Sequence, residues 1–226
     1  MKKEKDPCNT NNCFLCRHSL PAWLPAVAAN KTNLDFKRGV TIFEEGMPVN
    51  GIYFIFRGKV KVHKKWGSEK QFILHFAKEG DVLGYRGLGN EQLYPVSATT
   101  LENTMLCFFD IPFFENSLKV NTNLLYAFMQ LYASELQQVE KRMGSLVHLD
   151  VKGRVAETLL KLQTDFGVTD EGIIQIWLTK QELAAYAGTT YETFFRILHE
   201  LVQSGIVQYS GKNMAIVNEA KLKALL

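Results

Sequence analysis

Seven apolar residues, Leu125, Met129, Tyr132, Leu136, Val139, Met143 and Leu146, recur at intervals that alternate strictly between four and three. That spacing is the seam of a helix that packs on a copy of itself in a coiled coil, which makes these residues the expected dimer interface. An amphipathic helix lying on the chain's own sheet is the other arrangement the spacing allows. Either way the middle of the chain is one long helix, with Gly144 and Asp150 marking its expected end.

Upstream the period is different. From about residue 34 to 110, Gly39, Gly46, Gly51, Gly58, Gly67, Gly80, Gly84, Gly87 and Gly89 punctuate short runs. Residues 51–56, 59–63 and 71–76 are rich in β-branched and aromatic side chains and read as strands, with hairpin tips at Arg57-Gly58 and Trp66-Gly67-Ser68. Regular turn signals between short strands predict an antiparallel roll or barrel.

Downstream, residues 151–166 form another amphipathic helix with Val155, Leu159, Leu162 and Phe166 on one face, before a turn-rich stretch from Gly167 to Gly172. Residues 178–198 then read as helix, tight turn, helix. Thr179 and Glu182 have the spacing of a capping box, Gly188 suits a left-handed turn, and Thr189 or Thr190 can cap the second helix. On that second helix Phe194, Ile197, Leu198 and Leu201 share a core face, which leaves Tyr191, Glu192, Phe195, Arg196 and His199 outside. Two short runs, 206–209 and 214–217, separated by Gly211-Lys212-Asn213, add a two-stranded wing.

A winged helix-turn-helix is a DNA-reading design, because its second helix fits the major groove, about 12 Å wide, and carries side chains to base edges. Arg196 suits guanine O6 and N7; Glu192 can accept from a cytosine amino group and can orient Arg196 one turn later. An ordinary solvated Glu–Arg helix pair is the plain alternative.

The expected architecture is α+β. A Cys-containing segment over 1–20 precedes a β-roll sensor domain over 21–120, a dimerisation helix over 121–148 and a winged helix-turn-helix domain over 149–226. Net charge is only +3, which permits nucleic-acid binding without establishing it. No window offers the roughly 18 apolar residues of a membrane span, and the N-terminus lacks the apolar stretch of a signal peptide, so a cytoplasmic protein without membrane contact is expected. With no nucleophile–base set, phosphate-cradling glycine loop or open metal triad, no enzyme is expected either.

In this order the elements resemble the superfamily of the cyclic-AMP receptor protein and the fumarate-nitrate reductase regulator, over nearly the full length. The matching segments are Glu192-Thr193 with Arg196, Phe36-Lys37-Arg38-Gly39 to Phe43-Glu44-Glu45-Gly46, and Gly80-Asp81-Val82-Leu83-Gly84. The resemblance implies a cyclic-nucleotide-binding-like roll and a homodimeric transcription regulator. Its partners would be double-stranded DNA with a palindromic operator, a second copy of the chain and, for an activator, RNA polymerase. Glu192 and Arg196 would read a TGA-like half-site, with Thr179, Thr190, Tyr191, Phe195 and His199 as the other DNA-facing residues. Phe195 stands where the fumarate-nitrate type has a serine, and Tyr191 where the cyclic-AMP type has an arginine, which leaves the outer bases open. A β-roll sensor acting through protein partners, without specific DNA binding, is the rival reading.

The resemblance places an effector pocket at Gly84, Tyr85, Arg86, Ser97 and Thr99. Cyclic AMP is not expected there, because the family's glutamate after the glycine and arginine beside the serine are both missing. Cysteines crowded as Cys8, Cys13 and Cys16, with Cys107 distant, suggest metal or redox chemistry in a reducing compartment. The oxygen-sensing branch of the family holds an iron–sulfur cluster on four thiolates, which implies Cys8, Cys13, Cys16 and Cys107 as ligands. The spacing departs from that branch, and Phe109 occupies the position of its distal cysteine. A thiol–disulfide switch needs only two of these thiols, whereas Cys107 as a small buried hydrophobe and a mobile, unliganded N-terminus need none. A zinc site lacks its second ligand pair. Haem would have to use His18, His63, His75 or His148.

Overall fold

The computed structural model describes residues 12–66 and 70–226. Short helices α1 (Phe14–His18) and α2 (Leu24–Asn30) precede strands β1 (Thr32–Phe36), β2 (Thr41–Phe43), β3 (Gly51–Arg57), β4 (Val60–Trp66), β5 (Lys70–Ala77), β6 (Val82–Leu83), β7 (Ser97–Thr100) and β8 (Thr104–Asp110). Helices α3 (Ile111–Val120), α4 (Thr122–His148), α5 (Val151–Phe166), α6 (Lys180–Ala187) and α7 (Tyr191–Gln203) follow, then β9 (Val207–Ser210), β10 (Asn213–Ile216) and α8 (Glu219–Lys223). Contacts divide the chain into two compact units. One runs to Lys65 and resumes from Ile73 to Glu135; the other holds Trp66–Phe72 and Leu136–Leu226.

The first unit is a roll of two antiparallel four-stranded sheets, ordered β1-β8-β3-β6 and β2-β7-β4-β5. Strand β3 explains the layering. Its side chains alternate, with Ile52 and Phe54 in one apolar cluster and Tyr53 and Ile55 in the other, so both faces are covered and five consecutive residues are buried. Strand β8 does the same, sending Leu106 to the inter-sheet cluster and Cys107 and Phe109 to the cluster shared with Leu15, Cys16 and Val27. The N-terminal segment is pinned against that layer: Leu20 N donates to Asn121 Oδ1 at 2.7 Å and Trp23 Nε1 to Ser117 Oγ at 3.0 Å.

One expected hairpin is absent. Strands β3 and β4 lie in different sheets, so Arg57-Gly58 is the corner where the chain crosses between them. Gly58 takes φ +104°, and a Cβ there would stand 2.5 Å from Thr104 Oγ1. Of the other proposed tip, Trp66 ends β4, and Gly67 and Ser68 lie outside the described residues.

Helix α4 has 27 residues, about 40 Å at 1.5 Å per residue. Gly144 does not end it: the helix continues to His148, and Asp150 instead caps α5, accepting from Gly153 N at 2.7 Å. In the second unit α5 buries Val155, Leu159 and Leu162 as its periodicity requires, with Phe166 only half-buried.

Candidate nucleic-acid interface

The helix-turn-helix is built by its caps. Glu182 N donates to Thr179 Oγ1 at 3.1 Å while Thr179 N donates to Glu182 Oε2 at 2.9 Å, closing the capping box that starts α6. Gly188 ends α6 at φ +64°, and Thr190 Oγ1 accepts from Thr193 N to start α7. Each threonine cap is worth ~1 kcal/mol.

Helix α7 is strongly amphipathic. Phe194, Ile197, Leu198 and Leu201 are buried, and Tyr191, Glu192, Phe195, Arg196 and His199 are all exposed, as expected. The expected Glu192–Arg196 pair is not made. Arg196 Nη1 instead donates to Glu200 Oε1 at 2.8 Å, and Lys152 of α5 reaches the other oxygen of Glu200 at 3.3 Å. Arg196 is 67% exposed, so its pair with Glu200 is worth about 0.3–0.5 kcal/mol and can be exchanged for a base edge. Glu192, in the first turn, lies where the helix dipole favours an anion.

A feature not legible in the sequence flanks that face. Lys180 Nζ lies 4.2 Å from the centroid of the Phe195 ring and 5.2 Å from that of Tyr209, on the wing. The Tyr191 and Phe195 rings stack at 6.2 Å and 12°. Burial raises the Tyr209 hydroxyl's pKa and the nearby Tyr191 adds to the shift, so the three rings share one patch. Tyr209 lies 14 residues beyond Phe195 on the strand that follows α7, so helical spacing could not bring the two together.

In the roll, Gly84, Tyr85 and Arg86 line a small cavity with Phe43, Val62, His75, Tyr94 and Val96. Ser97 and Thr99, expected beside them, do not line it. Ser97 Oγ accepts from Glu45 N at 2.9 Å, and Thr99 Oγ1 bonds His63 Nε2 at 2.9 Å, so both hydroxyls are used inside the sheet. Arg86 is paired with Glu135 on α4, and Tyr132 Oη donates to Tyr85 O at 2.6 Å. Burial pushes the Glu135 carboxyl up, but His75 and Arg86 outweigh it and hold the group below the usual carboxylate range. The pair's contribution is therefore complete above the unfolded carboxylate pKa of about 4.3 and lost as pH falls through the lower folded value. Truncating one member of a buried pair costs ~3–5 kcal/mol. These side chains are 22% and 20% exposed, which discounts the cost to roughly 1–2 kcal/mol. Glu135→Gln is expected to destabilise the roll by that amount at pH 7 and by progressively less as the pH falls below about 4.3, as urea unfolding across an acid pH series will show.

Cys13 and Cys107 line a second cavity with Asn12, Phe54, Glu79 and Gly80, and Cys16 is buried in the same apolar cluster as Cys107. Cys107 Sγ lies 3.9 Å from Asn33 Oδ1. Cys8 lies outside the described residues. Among the described residues, no three His, Cys, Asp or Glu side chains are grouped so that they could hold a metal ion. The histidines considered for haem fall on separate elements, His18 in α1, His63 in β4, His75 in β5 and His148 at the end of α4. No helix among the described residues is long and apolar enough to cross a membrane.

Two family models match, the cyclic nucleotide-binding domain over residues 33–121 and the Crp-like helix-turn-helix domain over 153–225. The chain is 32% identical over 183 residues to the cAMP-activated global transcriptional regulator CRP of Salmonella typhimurium, covering 78% of this chain and 85% of that protein. The chain belongs to the Crp/Fnr superfamily. It is also 26% identical over 204 residues to a CRP-like cAMP-activated global transcriptional regulator of Mycobacterium tuberculosis, covering 89% and 91% of the two chains. The structure of FixK2 from Bradyrhizobium japonicum shares the fold at a TM-score of 0.76 and 23% identity, covering 86% of this chain and 96% of that one. This Crp/Fnr protein is a DNA-binding transcription regulator, and the relatives named here are regulators rather than enzymes.

Proposed function

We propose that this Crp/Fnr regulator acts as a homodimer that reads a two-fold-symmetric operator with one α7 from each copy. The carrying observation is the seam on α4: Leu125, Met129, Tyr132, Leu136, Val139, Met143 and Leu146 are each between 41% and 63% exposed. A single chain leaves this stripe in water, whereas a second copy buries it at roughly 1.5–3 kcal/mol for each fully covered side chain. A parallel seam relates the copies by a two-fold axis, which the operator must match, with half-sites about one helical turn apart. Within each half-site Arg196 reads guanine and Glu192 a cytosine amino group, and Thr179, Thr190 and His199 meet the flanking backbone.

The signal is assigned to the thiols rather than to a cyclic nucleotide. Arg86, the cation at the roll's cavity, is already neutralised by Glu135, whereas Cys13 and Cys107 share a cavity next to buried Cys16. An iron–sulfur cluster, as in the family's oxygen-sensing branch, would need Cys8 as well as these three. The described residues do not assemble a metal site on their own.

Selection of duplexes from a random pool tests the reading. Enrichment of an inverted repeat with TGA-like half-sites, bound with a steep inverse salt dependence, is expected; an asymmetric site or no enrichment overturns it. Repeating the measurement on protein prepared without oxygen and after air oxidation tests the thiols. Operator affinity should differ between the two preparations and become equal in Cys107→Ala; equal affinities in the parent protein would remove the thiols from the mechanism.

A further inference from the structure

The exposed face of α7 carries more than hydrogen-bonding groups. Phe195 is 44% exposed and Tyr191 43%, although the four core positions of the helix are already filled by Phe194, Ile197, Leu198 and Leu201 at 3% exposure or less. The two rings therefore contribute little to holding the second unit together. They are nonetheless held in place. Residues four apart on a helix are neighbours, and these two rings stack nearly parallel; from α6, the Lys180 ammonium sits over Phe195 and also approaches Tyr209. The result is a fixed apolar surface beside Arg196 and Glu192, bordered by a cation.

An apolar surface presented to the major groove has one partner of its own kind. Adenine, guanine and cytosine show only hydrogen-bonding groups on that edge, whereas thymine adds its 5-methyl group. The geometry points to Phe195 as a specificity-determining residue that packs on the 5-methyl of a thymine adjoining the bases read by Arg196 and Glu192. Tyr191 braces the ring, and Lys180 both covers it and offers its charge to the neighbouring phosphate. This inference rests on the proposed operator reading and supplies a base preference that Arg196 and Glu192 cannot, because neither side chain distinguishes thymine from uracil.

The test replaces each thymine of the selected operator by uracil, which removes the methyl and leaves every hydrogen-bonding group. One thymine per half-site is expected to respond, with binding weakened about fourfold per half-site and roughly 15-fold when both are changed, the scale of burying one methyl-sized group. In Phe195→Ala the same uracil substitution should have no effect, while Phe195→Leu keeps part of the response. Phe195 lies on the surface, so both variants should fold, as circular dichroism will check. An equal uracil penalty in parent and Phe195→Ala proteins, or no responsive thymine, overturns the inference. The operator reading is then judged separately, by whether both proteins still discriminate against loss of the guanine assigned to Arg196. Failure to enrich any operator overturns both.

Discussion

Val139→Glu combined with Met143→Glu is expected to convert the proposed dimer to a monomer while leaving the helix intact. Both side chains are solvent-exposed in a single chain, Val139 at 48% and Met143 at 63%, so neither substitution removes packing that a monomer needs. Glutamate is also a better helix former than valine, and α4 loses nothing locally. In the dimer the same changes remove two apolar side chains per copy and place four carboxylates along one seam, which predicts a dissociation constant raised by roughly 100-fold or more. Operator affinity should fall further than dimerisation alone suggests. Two linked recognition helices gain about 10²–10⁴ in avidity over one, and a monomer keeps only a half-site. Sedimentation equilibrium and gel shifts on the selected operator measure the two effects. A variant that remains dimeric would place the interface elsewhere, and a monomer with unimpaired operator binding would remove the need for two-fold symmetry.

The seam also bears on how a signal in the roll could reach the DNA. Glu135, which pairs with Arg86, and Tyr132, which donates to Tyr85 O, both belong to α4, and Tyr132 is itself a seam residue. A change at Tyr85 or Arg86 therefore acts on a side chain that the proposed partner copy would also touch. A ligand or redox event shifts such an equilibrium only by its difference in free energy between the two arrangements.

The parts of this fold that were legible in the sequence are those governed by local rules. The α5 boundaries, the reciprocal Thr179–Glu182 cap, the left-handed Gly188 and the buried face of α7 follow from periodicity and capping chemistry within a few residues. Most of the corrections involve partners that spacing cannot choose. Strands β3 and β4 have strand composition and a glycine between them, but whether the chain turns back or crosses to the other sheet depends on which neighbours cover each face. Gly144 costs ~1 kcal/mol relative to alanine, and a helix of 27 residues carries it without ending. Ser97 and Thr99 were expected at the pocket, but their hydroxyls serve Glu45 N and His63. Arg196 has an acid four residues away on both sides, Glu192 and Glu200, and the structure selects Glu200, where Lys152 from α5 also converges.

Arg196→Ala is expected to weaken operator binding by roughly 100-fold, because a bidentate arginine–guanine contact contributes about 1–3 kcal/mol of discrimination and a dimer loses two of them. Stability should change little, since the lost pair with Glu200 is exposed and worth at most about 0.5 kcal/mol. Selectivity carries the stronger evidence. In Arg196→Ala the preference for guanine at one position of each half-site should vanish while the rest of the consensus survives. Arg196→Lys should restore charge and part of the non-specific affinity without restoring that preference, because an ammonium cannot present two parallel donors to O6 and N7. Glu200→Ala gives the opposite sign: with its competitor gone, Arg196 gives up no ion pair on binding, and affinity should rise by up to about twofold per half-site. If Arg196→Ala instead weakened binding to all sequences equally and reduced the salt slope by about one per half-site, Arg196 would be a phosphate contact and the assignment of base reading to this residue would be wrong.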